Sequence, residues 1–142
     1  MLVSQILRSK GEAVFTAPPH ETLQGAATML HSRRVGAIVV MERDRVVGIV
    51  SERDIVRAVS ESGGAALNKP ISEVMSRDVI FADPKEDIDT LLERMTDRRI
   101  RHLPVCRDGQ LIGIVSIGDL VKLKIAETEA EAQHLKAYIA AG

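Results

Sequence analysis

Two short segments of the chain carry residue types suited to polar recognition: Gly48-Ile49-Val50-Ser51-Glu52-Arg53-Asp54 and Gly113-Ile114-Val115-Ser116-Ile117-Gly118-Asp119. In each, an apolar run ends in Ser-x-x-Asp. At the start of a helix this spacing fits a capping box, in which the serine accepts a backbone N–H and the acid reaches back to another. The same residues also suit a ligand. A helix N-terminus offers free N–H groups and a hydroxyl to phosphate or ribose oxygens, and a nearby carboxylate accepts hydrogen bonds from both hydroxyls of a ribose. The two readings are compatible.

The elements that position these segments are written twice. Residues 14–56 match residues 79–121 without a gap at a spacing of about 65, the sign of an internal repeat. AVFTAPPHETL parallels DVIFADPKEDI, HSRRVGAIVV parallels TDRRIRHLPV, and RVVGIVSERDIV parallels QLIGIVSIGDLV. Upstream, Val3-Ser4-Gln5-Ile6-Leu7 resembles Ile71-Ser72-Glu73-Val74-Met75 at a spacing a few residues different. Each copy reads as strand, helix, two strands, helix. Short strands are predicted at 13–16 and 79–81. Helices are expected to start at Pro18-Pro19 and at Asp83-Pro84, where proline suits the first helical position. Leu23, Ala26, Ala27 and Leu30, like Ile88, Leu91, Leu92 and Met95, are spaced for one apolar helix face. Strands at 37–41 and 46–50, and at 103–106 and 111–115, form hairpins, the second around Asp108-Gly109. A closing helix follows Ser51 and Ser116. Gly63-Gly64 and Asn68-Lys69-Pro70 mark a linker, so the organisation is 1–61, a linker at 62–70, 71–125, and a C-terminal helix over 126–142. That Ala-, Glu- and Lys-rich tail is expected to pack on its own module or on a second copy, ahead of serving as a recognition helix for another protein.

Composition narrows the function classes. With 142 residues, 45% of them apolar, length alone favours one ordinary domain with a real core. The 19 Lys and Arg against 20 Asp and Glu leave a net charge of −1, which provides no general attraction to nucleic acid or anionic membrane. Aromatics are 2% of the chain, so stacking platforms for single strands are missing and the core is aliphatic. A single cysteine, Cys106, excludes an internal disulfide and suits a reducing cytoplasm. Arg8 and Lys10 interrupt the first apolar residues before a signal-peptide core forms, and no later apolar run approaches about 18 residues, so export and membrane spanning are not expected. His20, His31 and His134 show no metal-ligand spacing, and no nucleophile elbow, dinucleotide fingerprint or P-loop is present. No catalytic residue, metal or obligatory cofactor is assigned.

The order and spacing of ISEVM, DVIFADPKEDI, RRIRHLPVCRDGQLIGIVSIGDLV and the two GIVS-x-x-D segments resemble the paired cystathionine-beta-synthase (CBS) domains, or Bateman module, from Val3 to about Lys124. The resemblance implies an α/β fold of two tandem βαββα units related by a pseudo-twofold axis. It further implies two clefts that hold adenosine compounds such as AMP, ADP, ATP, S-adenosylmethionine or NAD. Carried over residue by residue, Asp54 and Asp119 take ribose hydroxyls, and Ser51 and Ser116 take ribose or phosphate oxygens. Thr16, Ala17, Ile80 and Phe81 border the adenine. Arg101, His102 and Pro104 lie in the segment similar to the family's phosphate-contacting position, although Gly36 and Ala37 replace Arg101 and His102 in the first copy. Arg53, opposite Gly118, is a candidate phosphate ligand for the first cleft. Arg98 and Arg99 read as a solvated helix end, because the first copy keeps Arg33-Arg34. The resemblance thus implies a free-standing nucleotide-binding sensor, commonly a homodimer, that regulates a separate protein in energy sensing. The alternative is an assembly module whose serine–aspartate pairs are caps only.

Overall fold

The computed structural model describes residues 2–10 and 14–141, with the Lys10 side chain left aside. The expected strand at 13–16 therefore begins outside the described residues at Ala13. The elements run α1 (Val3–Lys10), β1 (Thr16–Ala17), α2 (Leu23–Arg33), β2 (Ala37–Glu42), β3 (Arg45–Ser51), α3 (Glu52–Ser62), two 3₁₀ turns (Gly63–Asn68 and Ile71–Glu73), α4 (Ile88–Arg98), β4 (His102–Arg107), β5 (Gln110–Ser116) and α5 (Ile117–Ala141). The class is mixed α/β. Where length alone favoured one domain, the chain divides into two compact units, each built on one repeat.

In the first unit, Ala13–Phe81, β1 pairs parallel to β2 and β2 antiparallel to β3. Alternation along the strands and the three-and-four spacing along α2 put Leu23, Ala26, Leu30, Ile38, Val40, Val50 and Ile55 into one aliphatic core, joined by Ile71 and Met75. The second unit repeats the hairpin as β4 and β5. Its core of Ile88, Leu91, Met95, Leu103, Val105, Val115 and Leu120 also takes in Val3, Ile6 and Leu7 of α1. Both hairpins carry a register shift at the same place, Val40/Met41 and Val105/Cys106.

Three expectations are corrected. The helices begin at Leu23 and Ile88, four residues beyond the prolines. Pro18-Pro19 and Asp83-Pro84 form turns instead: the Glu21 N–H donates to the Pro18 carbonyl, the Glu86 N–H donates to the Asp83 carbonyl, and the Asp83 carboxylate accepts the Lys85 N–H at 2.8 Å. The strand over 79–81 does not form, and only an isolated bridge joins Ala82 to Val105. The cause is Pro104. Its counterpart Val39 donates its N–H to the Phe15 carbonyl, whereas proline has no N–H to give. Finally, the closing helix of the second copy and the tail are one helix, α5, of 25 residues. In the first copy Gly63 ends α3 at φ 65°; Thr128 and Glu129, which correspond to Gly63 and Gly64, continue the helix.

The segments upstream of the two repeats are exchanged between the units. In the first unit Ile71 donates its N–H to the Glu21 carbonyl at 2.7 Å and Ser72 donates to Pro19 at 3.0 Å; in the second, Val3 donates to Glu86 and Ser4 to Pro84, both at 3.0 Å. Each latch lies over a glycine of a GIVS strand. A Cβ on Gly48 would meet Met75 Cγ at 2.9 Å and the Ser76 carbonyl oxygen at 3.0 Å, and one on Gly113 would meet Leu7 Cδ2 at 2.5 Å. Glycine is required at Gly48, where backbone closes the space, whereas at Gly113 only a Leu7 side-chain end lies over the strand.

Candidate functional site

Both Ser-x-x-Asp pairs stand where a strand becomes a helix. The Asp54 carboxylate accepts the Ser51 N–H at 2.8 Å and the Ser51 hydroxyl at 3.0 Å through Oδ2, while the Asp54 N–H donates to Ser51 Oγ at 3.4 Å. Its other oxygen, Oδ1, lies 3.4 Å from Arg57. In the second copy the Ser116 N–H donates to Asp119 Oδ2 at 2.9 Å, and the Asp119 N–H to Ser116 Oγ at 3.1 Å. Both pairs are therefore capping boxes. They are not equally enclosed: Asp54 is 7% exposed, and Asp119 is half-buried.

The residues before β2 and β4 are stitched to the starts of α3 and α5. The Glu52 N–H donates to the Gly36 carbonyl at 3.1 Å, and the Ile117 N–H donates to the Arg101 carbonyl at 2.8 Å. In the register of the hairpins, Ala37 faces Ser51 and His102 faces Ser116. Arg101, His102, Ser116 and Asp119 are thus brought to one end of the β4–β5 hairpin, with Arg101 exposed and His102 half-buried. Pro104 lies two residues further in and is buried. In the first unit, Thr16 is exposed and Ala17 buried beside Val39 and Val40, one strand away from Ser51, and Arg53 is exposed on the first turn of α3. Ile80 and Phe81 belong to the unit of Ala13–Phe81, Ile80 half-buried and Phe81 exposed.

Arg98 and Arg99 end α4 as read, and Arg34 and Arg99 both adopt φ 54° in the left-handed region as C-caps. Cys106 is half-buried in β4, and burial pushes its thiol pKa up. Among the described residues no group of three or more His, Cys, Asp or Glu is placed to hold a metal ion.

Sequence reasoning missed one cleft. Leu30, His31, Ser32, Arg34, Val35, Gly36 and Glu52 line a space of about 570 Å³ in the first unit, within the usual range for small-molecule sites. The signal was the pairing of Gly36 with Glu52, which follows once the GIVS strand is placed beside β2. The cleft adjoins the Ser51 cap and presents a histidine, an arginine and a glutamate.

The CBS domain family model matches residues 3–61 and 71–125. The chain belongs to the CBS domain family. This CBS pair is 32% identical over 149 residues to the mitochondrial CBS domain-containing protein CBSX3 of Arabidopsis thaliana, covering 99% of the chain and 72% of that protein. Its fold is similar to the crystal structure of a CBS-domain containing protein from Agrobacterium tumefaciens, with a TM-score of 0.86 and 40% identity over 87% of this chain and 99% of that one. The CBS domain protein of Pyrobaculum aerophilum complexed with AMP is 30% identical, with a TM-score of 0.74 over 84% of this chain and 89% of that one. The CBS domain pair of protein MJ0100, in complex with 5′-methylthioadenosine and S-adenosyl-L-methionine, is 28% identical, with a TM-score of 0.79 over 89% and 98%. No helix of the described residues in this CBS pair is long and apolar enough to cross a membrane.

Proposed function

We propose that this CBS pair is a regulatory sensor that binds an adenosine-containing ligand, AMP, ATP or NAD, at one or both of its serine–aspartate junctions. The observation that carries the reading is the placement of Arg101, His102, Ser116 and Asp119 at one hairpin end. There a carboxylate, a hydroxyl, a guanidinium and an imidazole share the start of a helix, the chemistry a ribose phosphate needs. The relatives bound to AMP and to S-adenosylmethionine support the adenosine part of the reading. Asp54 and Asp119 take the ribose, Ser51 and Ser116 an adjoining oxygen, and Arg53, Arg101 and His102 the phosphates. Thr16, Ala17, Ile80 and Phe81 border adenine, and Pro104 belongs to the segment of Arg101 and His102. Binding at Asp54 requires Arg57, 63% exposed, to yield Oδ1. As a sensor the chain passes the ligand-induced change to a regulated protein in the cytoplasm, working as a homodimer.

A second reading is favoured by the capping boxes themselves. Both aspartates are already engaged by their serines, as an assembly module without ligand requires. Calorimetry with AMP and adenosine separates the two. Under the sensor reading, millimolar AMP raises the melting temperature, and Arg101→Ala weakens AMP but spares adenosine. Asp119→Asn weakens both ligands, by roughly 1.5–3 kcal/mol, through loss of charge-assisted bonds. No heat and no thermal shift with AMP, ATP, NAD or S-adenosylmethionine overturns the sensor reading and leaves the caps as structure alone.

A further inference from the structure

The tail of α5 has a pattern that its own unit does not use. Leu120 is fully buried, yet every residue from 128 to 141 is exposed, so about 21 Å of helix, at 1.5 Å per residue, carries no packing from its own chain. Packing on its own module, the first expectation for this tail, is not what this stretch does. The stripe Val121, Ile125, Thr128, Ala132, Leu135, Ile139 advances by four, three, four, three and four residues, the a/d spacing of a left-handed coiled coil. Its large members are exposed: Val121 43%, Ile125 53%, Leu135 60% and Ile139 68%, with Tyr138 beside them at 78%.

We infer that the α5 tail pairs with the α5 tail of a second copy as a parallel, in-register, two-stranded coiled coil. In that register Ile125, Ala132 and Ile139 occupy a positions and Val121, Thr128 and Leu135 d positions. β-branched residues at a with leucine at d favour two strands. The flanking charges fix the direction. At the e positions stand Lys122, Glu129 and Lys136, and at the g positions Lys124, Glu131 and Tyr138. Parallel chains set each g residue against the e residue five further on in the partner, which joins Glu131 to Lys136 and Lys124 to Glu129 across the seam. Five residues apart, these opposite charges do not face each other on their own helix, so the spacing serves a partner. Lys124 is already held by Asp89 at 3.0 Å, which leaves Glu131 with Lys136 as the deciding pair. An antiparallel pair with full overlap instead opposes Glu129 to Glu129, Glu131 to Glu131 and Lys122 to Lys136, like against like, and leaves Lys124 against Tyr138.

Disulfide trapping in the full chain, on a Cys106→Ser background, tests this without reference to ligand. Leu135→Cys is expected to cross-link to itself at least about tenfold faster than Ala137→Cys on the outer face, because the seam raises the effective concentration of the paired thiols. Equal rates overturn the pairing. A mixture of Ile125→Cys and Leu135→Cys chains that cross-links to each other faster than Leu135→Cys does to itself overturns the parallel direction. Adding Glu131→Lys to Leu135→Cys is expected to slow cross-linking, and adding Lys136→Glu as well to restore it. Failure of that rescue overturns the charge-set register. All the changed tail positions are solvent-exposed, and an unaltered melting temperature verifies that the units stay folded.

Discussion

The two repeats of this CBS pair start from one pattern and diverge at identifiable atoms. Both keep the hairpin with its register shift, the left-handed arginine C-cap, the Ser-x-x-Asp box and the glycine beneath a latch from the other repeat's leader. They part where a side chain alters backbone chemistry. Val39 supports a two-residue strand beside β2, and Pro104 reduces its equivalent to a bridge. Gly63 stops one helix, and Thr128 lets the other run on. Charge is also redistributed. Glu86 and Arg94 form a bidentate ion pair in the second unit, where the first has Glu21 and Met29 at the same places. Gly36 and Ala37 stand where the second copy has Arg101 and His102. A duplicated frame thus holds shape in common and leaves the chemistry of each end free to differ.

The comparison can be strained first at the latches. Gly48→Ala is expected to cost about 2 kcal/mol, because the Ser76 carbonyl it would meet is tied to the Ile49 N–H at 3.0 Å and cannot retreat. Gly113→Ala is expected to cost under about 1 kcal/mol, since only the end of the Leu7 side chain must swing. Urea denaturation of both variants measures the gap, and equal costs contradict the asymmetry.

The caps come next. Asp54→Ala empties a buried position and removes the partner of the half-buried Ser51 N–H and hydroxyl, and is expected to lower stability by about 2 kcal/mol, whereas Asp119→Ala, where the aspartate is itself half-buried, is expected to cost about 1 kcal/mol.

A smaller effect separates the units by pH. The Arg94 guanidinium, hydrogen-bonded to Glu86, holds that carboxyl below its usual range. A folded pKa below the unfolded one contributes stability that is present above the unfolded value, about 4.3, and is lost as pH falls through the folded one. Glu86→Gln is therefore expected to cost about 1 kcal/mol at neutral pH, discounted for partial exposure. Its difference from the native chain should close in strong acid. Glu21→Gln has no such ion pair to lose, and acid titration of melting temperatures compares the two.

The smallest effect on stability belongs to the tail. Thr128→Gly with Glu129→Gly places the first copy's helix stop in α5. It is expected to lower helicity by circular dichroism at about 1 kcal/mol of local propensity per glycine, with global unfolding almost unmoved because 128–141 packs on nothing in its own unit.

By itself the sequence determined the repeated strand, helix and hairpin order, the apolar faces of α2 and α4, the Asp108-Gly109 turn and the start of a helix after each GIVS strand. These rest on periodicity, turn chemistry and capping, which act within a few residues and are written in residue types. The family was legible for the same reason, since its motifs are local. Helix starts were misplaced because proline suits a turn as well as a first helical position, and only the carbonyl bonds to the leader segments of Ile71 and Val3 decided between them. The tertiary structure also decided which leader covers which glycine, that Ile80 and Phe81 belong to the first unit, and that Gly36 and Glu52 border one cleft. Such choices depend on contacts between residues far apart in the chain, where the energy of burial outweighs local preference and no short pattern records the outcome.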